Sequence, residues 1–247
     1  MDFGIAGKRA VVAASSKGLG LGAATALVAE GATVVISGRD EKRLQLVAAR
    51  IGQNVLPLVA DVSTAVGAEH FVNDAIEMLG GIDILVTNGP GPAPGDFTST
   101  PMEAYPDALE LNLLSVVAMC KLAVPRMQAQ GWGRVVAITS VAVRQPIANL
   151  ILSTTARAGV TGFLKVLARE VAADGVTVNS LQPGLHATDR VTQVHANPAD
   201  AAAGIPAGRL GDPDDFGAAV AFLCSQQANF ITGAGLLVDG GAYTGLM

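Results

Sequence analysis

The sequence predicts an α/β fold of one domain, a doubly wound parallel sheet of seven strands with helices on both faces. Three observations predict it. Short β-rich runs alternate with longer helical patterns along all 247 residues, the rhythm of successive βα units. The strand-like runs are apolar almost throughout, as strands buried on both faces must be. Half of the residues are hydrophobic but only 4% are aromatic, with 29 glycines. A core of Ala, Val, Leu and Ile with close backbone approaches follows.

The elements run in order from KRAVVAAS at 8–15, the first strand, into a helix from about Gly18. TVVIS at 33–37 is the second strand, followed by a helix through RLQLVAAR, and NVLPLVAD at 54–61 is the third, followed by a helix through AEHFVNDAIEML. IDILVT, RVVAITS, VTVNSLQ and GLLVD supply the remaining four strands, with helices expected around 107–130, 153–173 and 213–225. Two segments break the rhythm: NGPGPAPGDFTSTP at 88–101 after the fourth strand, and GLHATDRVTQVHANPADAAAGIPAGR after the sixth. Both lie beyond strand C-terminal ends, the edge where open α/β sheets bind ligands, so both are expected to border the site. The second is long enough for a substrate lid at about 185–208.

Composition excludes several partners. The net charge is −5 and there is no cluster of five or six basic residues, which argues against nucleic acid and against an anionic membrane, and for a small molecule. Cys120 and Cys224 are far apart in apolar surroundings with no zinc-like spacing. They read as reduced core residues, and no metal site is expected. MDFGIAGKRA has no long apolar segment after a basic start, which points to the cytoplasm. The uncharged run 216–238 is long enough to span a bilayer, but SQQAN and several glycines divide it into a helix and a strand.

AASSKGLGLG at 13–22 follows the first strand and opens the first helix. Gly18, Gly20 and Gly22 would let the backbone approach a pyrophosphate at the positive helix end, the dinucleotide turn of a Rossmann-type fold. At the end of the second strand a carboxylate would bind a ribose 2′-hydroxyl. This chain has Ser37, Gly38 and Arg39 there, with Lys17 as a second cation. Such a pair suits a 2′-phosphate, hence NADP(H).

The chain resembles the short-chain dehydrogenase/reductase family over essentially its full length. The resemblance rests on the glycine-rich turn, Asp61-Val62, Asn88, Asn112 in ELNLLS, Ser140 in ITS, Pro183-Gly184, and the tail from IPAGRLGDPDDF to LLVDGG. It implies Ser15, Lys17, Leu19, Arg39, Asp61, Val62 and Asn88 as cofactor contacts and Thr188 near the nicotinamide amide. Asn112 and Ser140 match two members of the family's catalytic tetrad. The other two should be a tyrosine thirteen residues after the serine and a lysine four further on; these positions hold Ser153 and Arg157. Ala14 also stands where the family has a glycine, and Gly89-Pro90 where it has Ala-Gly. The chain is similar to 3-oxoacyl carrier-protein reductases, as a divergent branch. The resemblance further implies a homotetramer, or a homodimer, packed through the helices that carry Asn112 and Ser153.

The departures change the chemistry. A tyrosine with a pKa of about 10 is tuned by a neighbouring lysine until it can protonate a carbonyl receiving hydride, whereas a serine hydroxyl is a far weaker acid. Arginine keeps its charge and can bind ribose hydroxyls but does not relay protons as lysine does. Ser140 and Ser153 are left to hydrogen-bond a carbonyl oxygen while water, His186, Tyr105 or Tyr243 supplies the proton. His186 has a second reading as a solvent-facing lid residue, and His70 and His195 read as surface residues. Ser153 also has a second reading as a helix cap, and Arg157 as a solvated cation. The expected function is an NADP(H)-dependent oxidoreductase acting on a carbonyl or a secondary alcohol with atypical proton delivery. Two alternatives stand beside it. One is a nucleotide-binding protein without turnover; the other is a non-redox enzyme similar to the halohydrin dehalogenases, which use Ser, Tyr and Arg.

Overall fold

The computed structural model describes residues 2–194 and 198–246. The N-terminal half runs β1 (Arg9–Val12), α1 (Gly18–Ala29), β2 (Thr33–Gly38), α2 (Glu41–Ile51), β3 (Val55–Val59), α3 (Ala65–Leu79) and β4 (Ile84–Thr87). It continues through α4 (Ala104–Leu109), α5 (Ser115–Ala129), β5 (Gly133–Ile138), α6 (Ile151–Val171) and β6 (Val176–Pro183). Two short helices, α7 (Asp189–Val194) and α8 (Pro198–Ala203), precede α9 (Pro213–Cys224) and β7 (Gly235–Val238). All seven expected strands form one sheet in the order β3-β2-β1-β4-β5-β6-β7, and every neighbouring pair is parallel. The fold is a single α/β domain of Rossmann type.

Side-chain alternation along each strand divides the core in two. Val11 and Val35 face one layer, with Phe71 of α3, Met119 of α5 and Leu164 of α6. Ala10, Val12, Val34 and Ile36 face the other, with Leu27 of α1, Leu44 of α2, and Phe216 and Val220 of α9. Burial on both sides accounts for the unbroken apolar strands. Cys120 and Cys224 are wholly buried, one in each layer, and burial pushes both thiols up to about 12, which leaves them unreactive at neutral pH.

Helices α1 and α9 approach backbone to backbone. A Cβ on Gly22 would collide with the Pro213 carbonyl, and one on Gly217 with the Gly22 carbonyl. The uncharged run 216–238 resolves into α9 and β7, as its sequence indicates. The run Ala104–Ala129 is long and apolar enough to cross a membrane by length and composition, and half of its most apolar stretch is buried inside the chain. Val116, Met119 and Ala123 of α5 are core residues, the pattern of a helix packed on its own sheet.

Two helices and one irregular segment differ from the sequence-based expectation. The helix expected at 107–130 is broken by a π turn over Glu110–Leu114 between α4 and α5. Helix α6 starts at Ile151, two residues early. The described residues of 185–208 form α7 and α8, and Val191 and Ile205 among them are buried, 4% and 5% exposed. His195 lies outside the described residues.

Candidate active site

The strand order reverses at β1, which pairs with β2 on one side and β4 on the other. The loops leaving β1 and β4 therefore separate and open a cleft. The turn after β1 is held by three side chains. Ser15 Oγ donates to the Val12 carbonyl at 2.7 Å and accepts from Ser37 N at 3.0 Å; Ser37 Oγ accepts from Ala14 N at 2.8 Å; Asn88 Nδ2 donates to the Ala14 carbonyl at 3.1 Å. These bonds fix Ala14 at φ +46°, a left-handed conformation that costs a non-glycine residue about 1 kcal/mol. Ala14→Gly is expected to stabilise the protein by roughly 0.5–1 kcal/mol, a rise of about 1–4 °C in melting temperature. A fall on thermal unfolding would mean that the methyl packs better than the backbone is strained.

The same geometry corrects one expected contact. Ser15 is 0% exposed, its hydroxyl is used inside the turn, and its amide donates to Ser37 O at 2.8 Å. It shapes the cradle rather than touching a ligand. Val62 is likewise a core side chain, 5% exposed, so only its main chain can face the cleft. Leu19 packs partly against the core, and Thr188 lies across from Gly18, its Cγ2 3.5 Å from where a Cβ would be.

The turn fits a dinucleotide phosphate. Helix α1 begins at Gly18 with Lys17 as N-cap and no side-chain cap bond, so its first amides are open to an anion. At Gly20 a Cβ would lie 2.6 Å from the Ala14 carbonyl and 2.8 Å from Asn88 Nδ2; only glycine lets the helix start this close to the turn. The outer cations are partnered. Lys17 Nζ lies 2.7 Å from Asp189 Oδ2 of α7, and Arg39 lies 3.9 Å from Asp61 Oδ2, all four side chains more than half exposed. Lys17 holds the Asp189 carboxyl below its ordinary pKa through hydrogen bonding and charge.

Deeper in the cleft, the π turn sets Asn112 between two loops. Its Nδ2 donates to the Pro90 carbonyl at 3.0 Å, and its Oδ1 accepts from Arg157 Nη1 at 3.2 Å. A π turn in a functional helix commonly re-aims one side chain in this way. Arg157 Nε donates to the Thr139 carbonyl at 3.3 Å, at the end of β5. Thr87, Asn112, Thr139 and Arg157 line a cavity of about 10 Å³, about the size of one water, and the Thr87 hydroxyl has no hydrogen-bond partner among the described residues.

Ser153 and Arg157 are one turn apart on α6, 7% and 9% exposed. The N-cap of α6 is Leu150 with no side-chain cap bond, so Ser153 is not the cap, and the burial of Arg157 rules out a solvated cation. Burial, with the Arg190 cation second, lowers the Arg157 pKa to about 10, so the group stays charged at neutral pH. Ser140 is half-buried, and its Oγ accepts from Ala142 N at 3.1 Å. Asn112, Ser140, Ser153 and Arg157 thus gather where β5 ends and α6 begins.

Of the candidate substitute acids, Tyr105 is half-buried on α4, and the others lie away from the cleft. His186 is 4% exposed, its Nδ1 is 3.2 Å from the Gly184 carbonyl, and its ring meets Phe216 edge-on at 5.2 Å. Burial pushes its pKa down. It is a packing residue against α9 and neither faces solvent nor enters the cleft. Tyr243 folds onto its own tail at Gly245, and His70 is exposed.

The sequence reading missed Arg190 of α7. Its Nη2 donates to the Pro92 carbonyl at 2.9 Å and its guanidinium covers Gly91. Its place two residues after Thr188 was the available signal.

Comparison with known proteins follows the same outline. The family model described as enoyl-(acyl carrier protein) reductase matches residues 13–243. The 3-oxoacyl-(acyl-carrier-protein) reductase FabG of Vibrio cholerae is 35% identical over 238 residues, covering 96% of this chain and 98% of that protein. Dehydrogenase/reductase SDR family member 4 of Oryctolagus cuniculus is 35% identical over 245 residues, covering 96% and 94%. Among solved structures, L-sorbose reductase from Gluconobacter frateurii complexed with NADPH and L-sorbose superposes with a TM-score of 0.92 at 30% identity, covering 100% of both chains. YwfH, an NADPH-dependent reductase involved in bacilysin biosynthesis, gives 0.93 at 27% identity, covering 98% and 100%.

Proposed function

The chain belongs to the short-chain dehydrogenase/reductase family, and from that premise we propose an NADP(H)-dependent oxidoreductase that reduces a carbonyl or oxidises a secondary alcohol with atypical proton delivery. The observation that carries this reading is the buried Arg157–Asn112 contact at 3.2 Å, which supports assigning the nicotinamide to this end of the cleft and the phosphates to the glycine turn. Arg157 holds the nicotinamide ribose, and its charge opposes loss of the bound cofactor. Asn112 fixes the guanidinium and ties it to the loop at Pro90. Ser140 and Ser153 donate hydrogen bonds to the substrate oxygen. The nicotinamide, when bound, supplies or takes the hydride. Ser140 and Ser153 are far weaker acids than the family tyrosine, and solvent delivers the proton. The segment 185–208 covers the substrate, and the protein works as a cytoplasmic homotetramer or homodimer. Leu114 and Val166, 44% and 57% exposed, support helix packing between subunits.

Lys17, Leu19, Arg39, Asp61, Val62, Asn88 and Thr188 shape the cofactor site, and NADPH is expected to bind about tenfold more tightly than NADH. Charge-assisted contacts of Arg39 and Lys17 to a 2′-phosphate contribute about 1–3 kcal/mol each, reduced at Lys17 because Asp189 must first be displaced. Gly38→Asp should reverse the preference. The new Cβ would lie 2.8 Å from Ser16 Oγ, a side chain that can turn away. Equal affinities for the two nucleotides, measured by calorimetry on a folded protein, would remove the NADP(H) assignment.

The reading as a whole is tested by NADPH consumption against ketones, quinones and 3-oxoacyl thioesters, run beside direct NADPH binding. Binding without turnover of any of them would make this a nucleotide-binding protein. Turnover without nucleotide would make it a non-redox enzyme.

A further inference from the structure

The cations around the cleft fall into two groups. Lys17 and Arg39 sit at the rim, exposed, each beside a carboxylate. Arg157 and Arg190 sit inside, and neither has an acidic partner among the described residues. Arg157 is nine-tenths buried and donates only to neutral acceptors, Thr139 O and Asn112 Oδ1, at 3.3 and 3.2 Å. Its Nη2 donates to no acceptor among the described residues. Arg190 is half-buried and also donates only to neutral acceptors, Pro92 O and Gln193 Oε1. The two guanidinium groups are near enough that the charge of Arg190 depresses proton binding at Arg157.

Two desolvated like charges without a counterion are costly, and an anion placed between them recovers that cost. The acids that could have served are engaged at the rim. Asp189 precedes Arg190 in sequence, yet its carboxylate is turned to Lys17. The contacts also locate where an anion would sit. The Asn88–Pro92 loop is held from one side by Asn112 at Pro90 and from the other by Arg190 at Pro92, with Arg157 joined to Asn112. This is the end of β4 and β5, beside Ser140 and Ser153. It is not the helix α1 terminus, where a pyrophosphate would lie.

We propose that the substrate carries a carboxylate, held between Arg157 and Arg190, so that the reacting carbonyl belongs to a small oxo acid. Guanidinium groups match a planar carboxylate through paired N–H donors, and Arg157 retains donors beyond those used on Thr139, Asn112 and one ribose hydroxyl. The inference deepens the oxidoreductase reading and rests on it for the redox step. Arg157 anchors both the cofactor and the acid; Arg190 is the specificity residue.

Oxalate, which has two carboxylates and no reducible carbonyl, is the probe. Titrated calorimetrically into the full-length protein with and without NADP⁺, it should bind about tenfold more weakly to Arg190→Gln than to wild type, with partial recovery in Arg190→Lys. Arg126→Gln, an exposed cation bonded to its own helix, should leave oxalate affinity unchanged. In turnover, Arg190→Gln should raise KM for 2-oxo acids by about tenfold or more with a smaller change in kcat, and should spare their methyl esters. Equal oxalate affinity in folded wild type and Arg190→Gln overturns the proposal. So does an NADP⁺ affinity that falls about tenfold in Arg190→Gln with oxalate unaffected, since Arg190 would then serve the cofactor phosphates. If NADPH fails to bind while oxalate binding still depends on Arg190, the redox reading falls and the carboxylate site stands.

Discussion

The double variant Ser153→Tyr, Arg157→Lys is expected to reduce ketones with NADPH about 10²-fold faster than the wild-type chain, the lower end of what a positioned general acid contributes. The two positions are one helical turn apart on α6, both less than a tenth exposed, and Arg157 bonds the Thr139 carbonyl and Asn112. A tyrosine there would point its hydroxyl at the substrate oxygen, and a lysine beneath it would lower its pKa from about 10 toward neutrality. Ser153→Tyr alone should gain less, because the arginine remains bonded to Asn112. The measurement is kcat over a ketone panel, with melting temperatures to show that the larger ring is accommodated. A folded double variant with unchanged kcat would mean that proton delivery does not limit the reaction.

Arg157→Ala is expected to weaken NADPH binding about tenfold, the loss of one charge-assisted contact to the ribose. Its effect on stability should be small, because two consequences oppose each other. The variant removes a desolvated cation with no acidic partner, which stabilises, and strands Asn112 Oδ1 and Thr139 O without their donor, which costs about 1–3 kcal/mol. The pKa of Arg157 is lowered to about 10 by burial. The guanidinium nonetheless stays charged, so its contribution to NADPH affinity should be constant through neutral pH. Unchanged NADPH affinity in a variant of wild-type melting temperature would take the arginine away from the ribose.

The sheet was legible because burial on both faces writes itself into each strand as an apolar run, and because glycines and prolines mark the ends. Asn112, Ser140, Ser153 and Arg157 were singled out by the family resemblance and its spacing, and the folded chain joins two of them, Asn112 and Arg157. What spacing hides is direction. Nothing local distinguishes Ser15, whose hydroxyl points into the turn, from a serine that points out of it. The π turn at Glu110–Leu114 adds one residue to a helix for the sake of bonds to Pro90 and Arg157, and no periodicity in ELNLLS announces it. The Lys17–Asp189 pair joins residues 172 apart, and Arg190 is one cation in an irregular segment. Both are products of tertiary packing, so both were found only in the folded chain.

The close contact of α1 with α9 has a consequence for the order in which the protein is made. Helix α1 follows the nucleotide turn and leaves the ribosome well before α9, yet its Leu27 is sealed by Phe216 and Val220, and its Gly22 lies against Pro213. Synthesis at about 5–20 residues per second puts a delay of roughly ten seconds or more between the two helices. Through that interval the cradle exists in sequence but has no back wall. Nucleotide affinity therefore arrives only once α9 has been made, and a chain stopped before Pro213 would carry the complete glycine motif and hold no nucleotide.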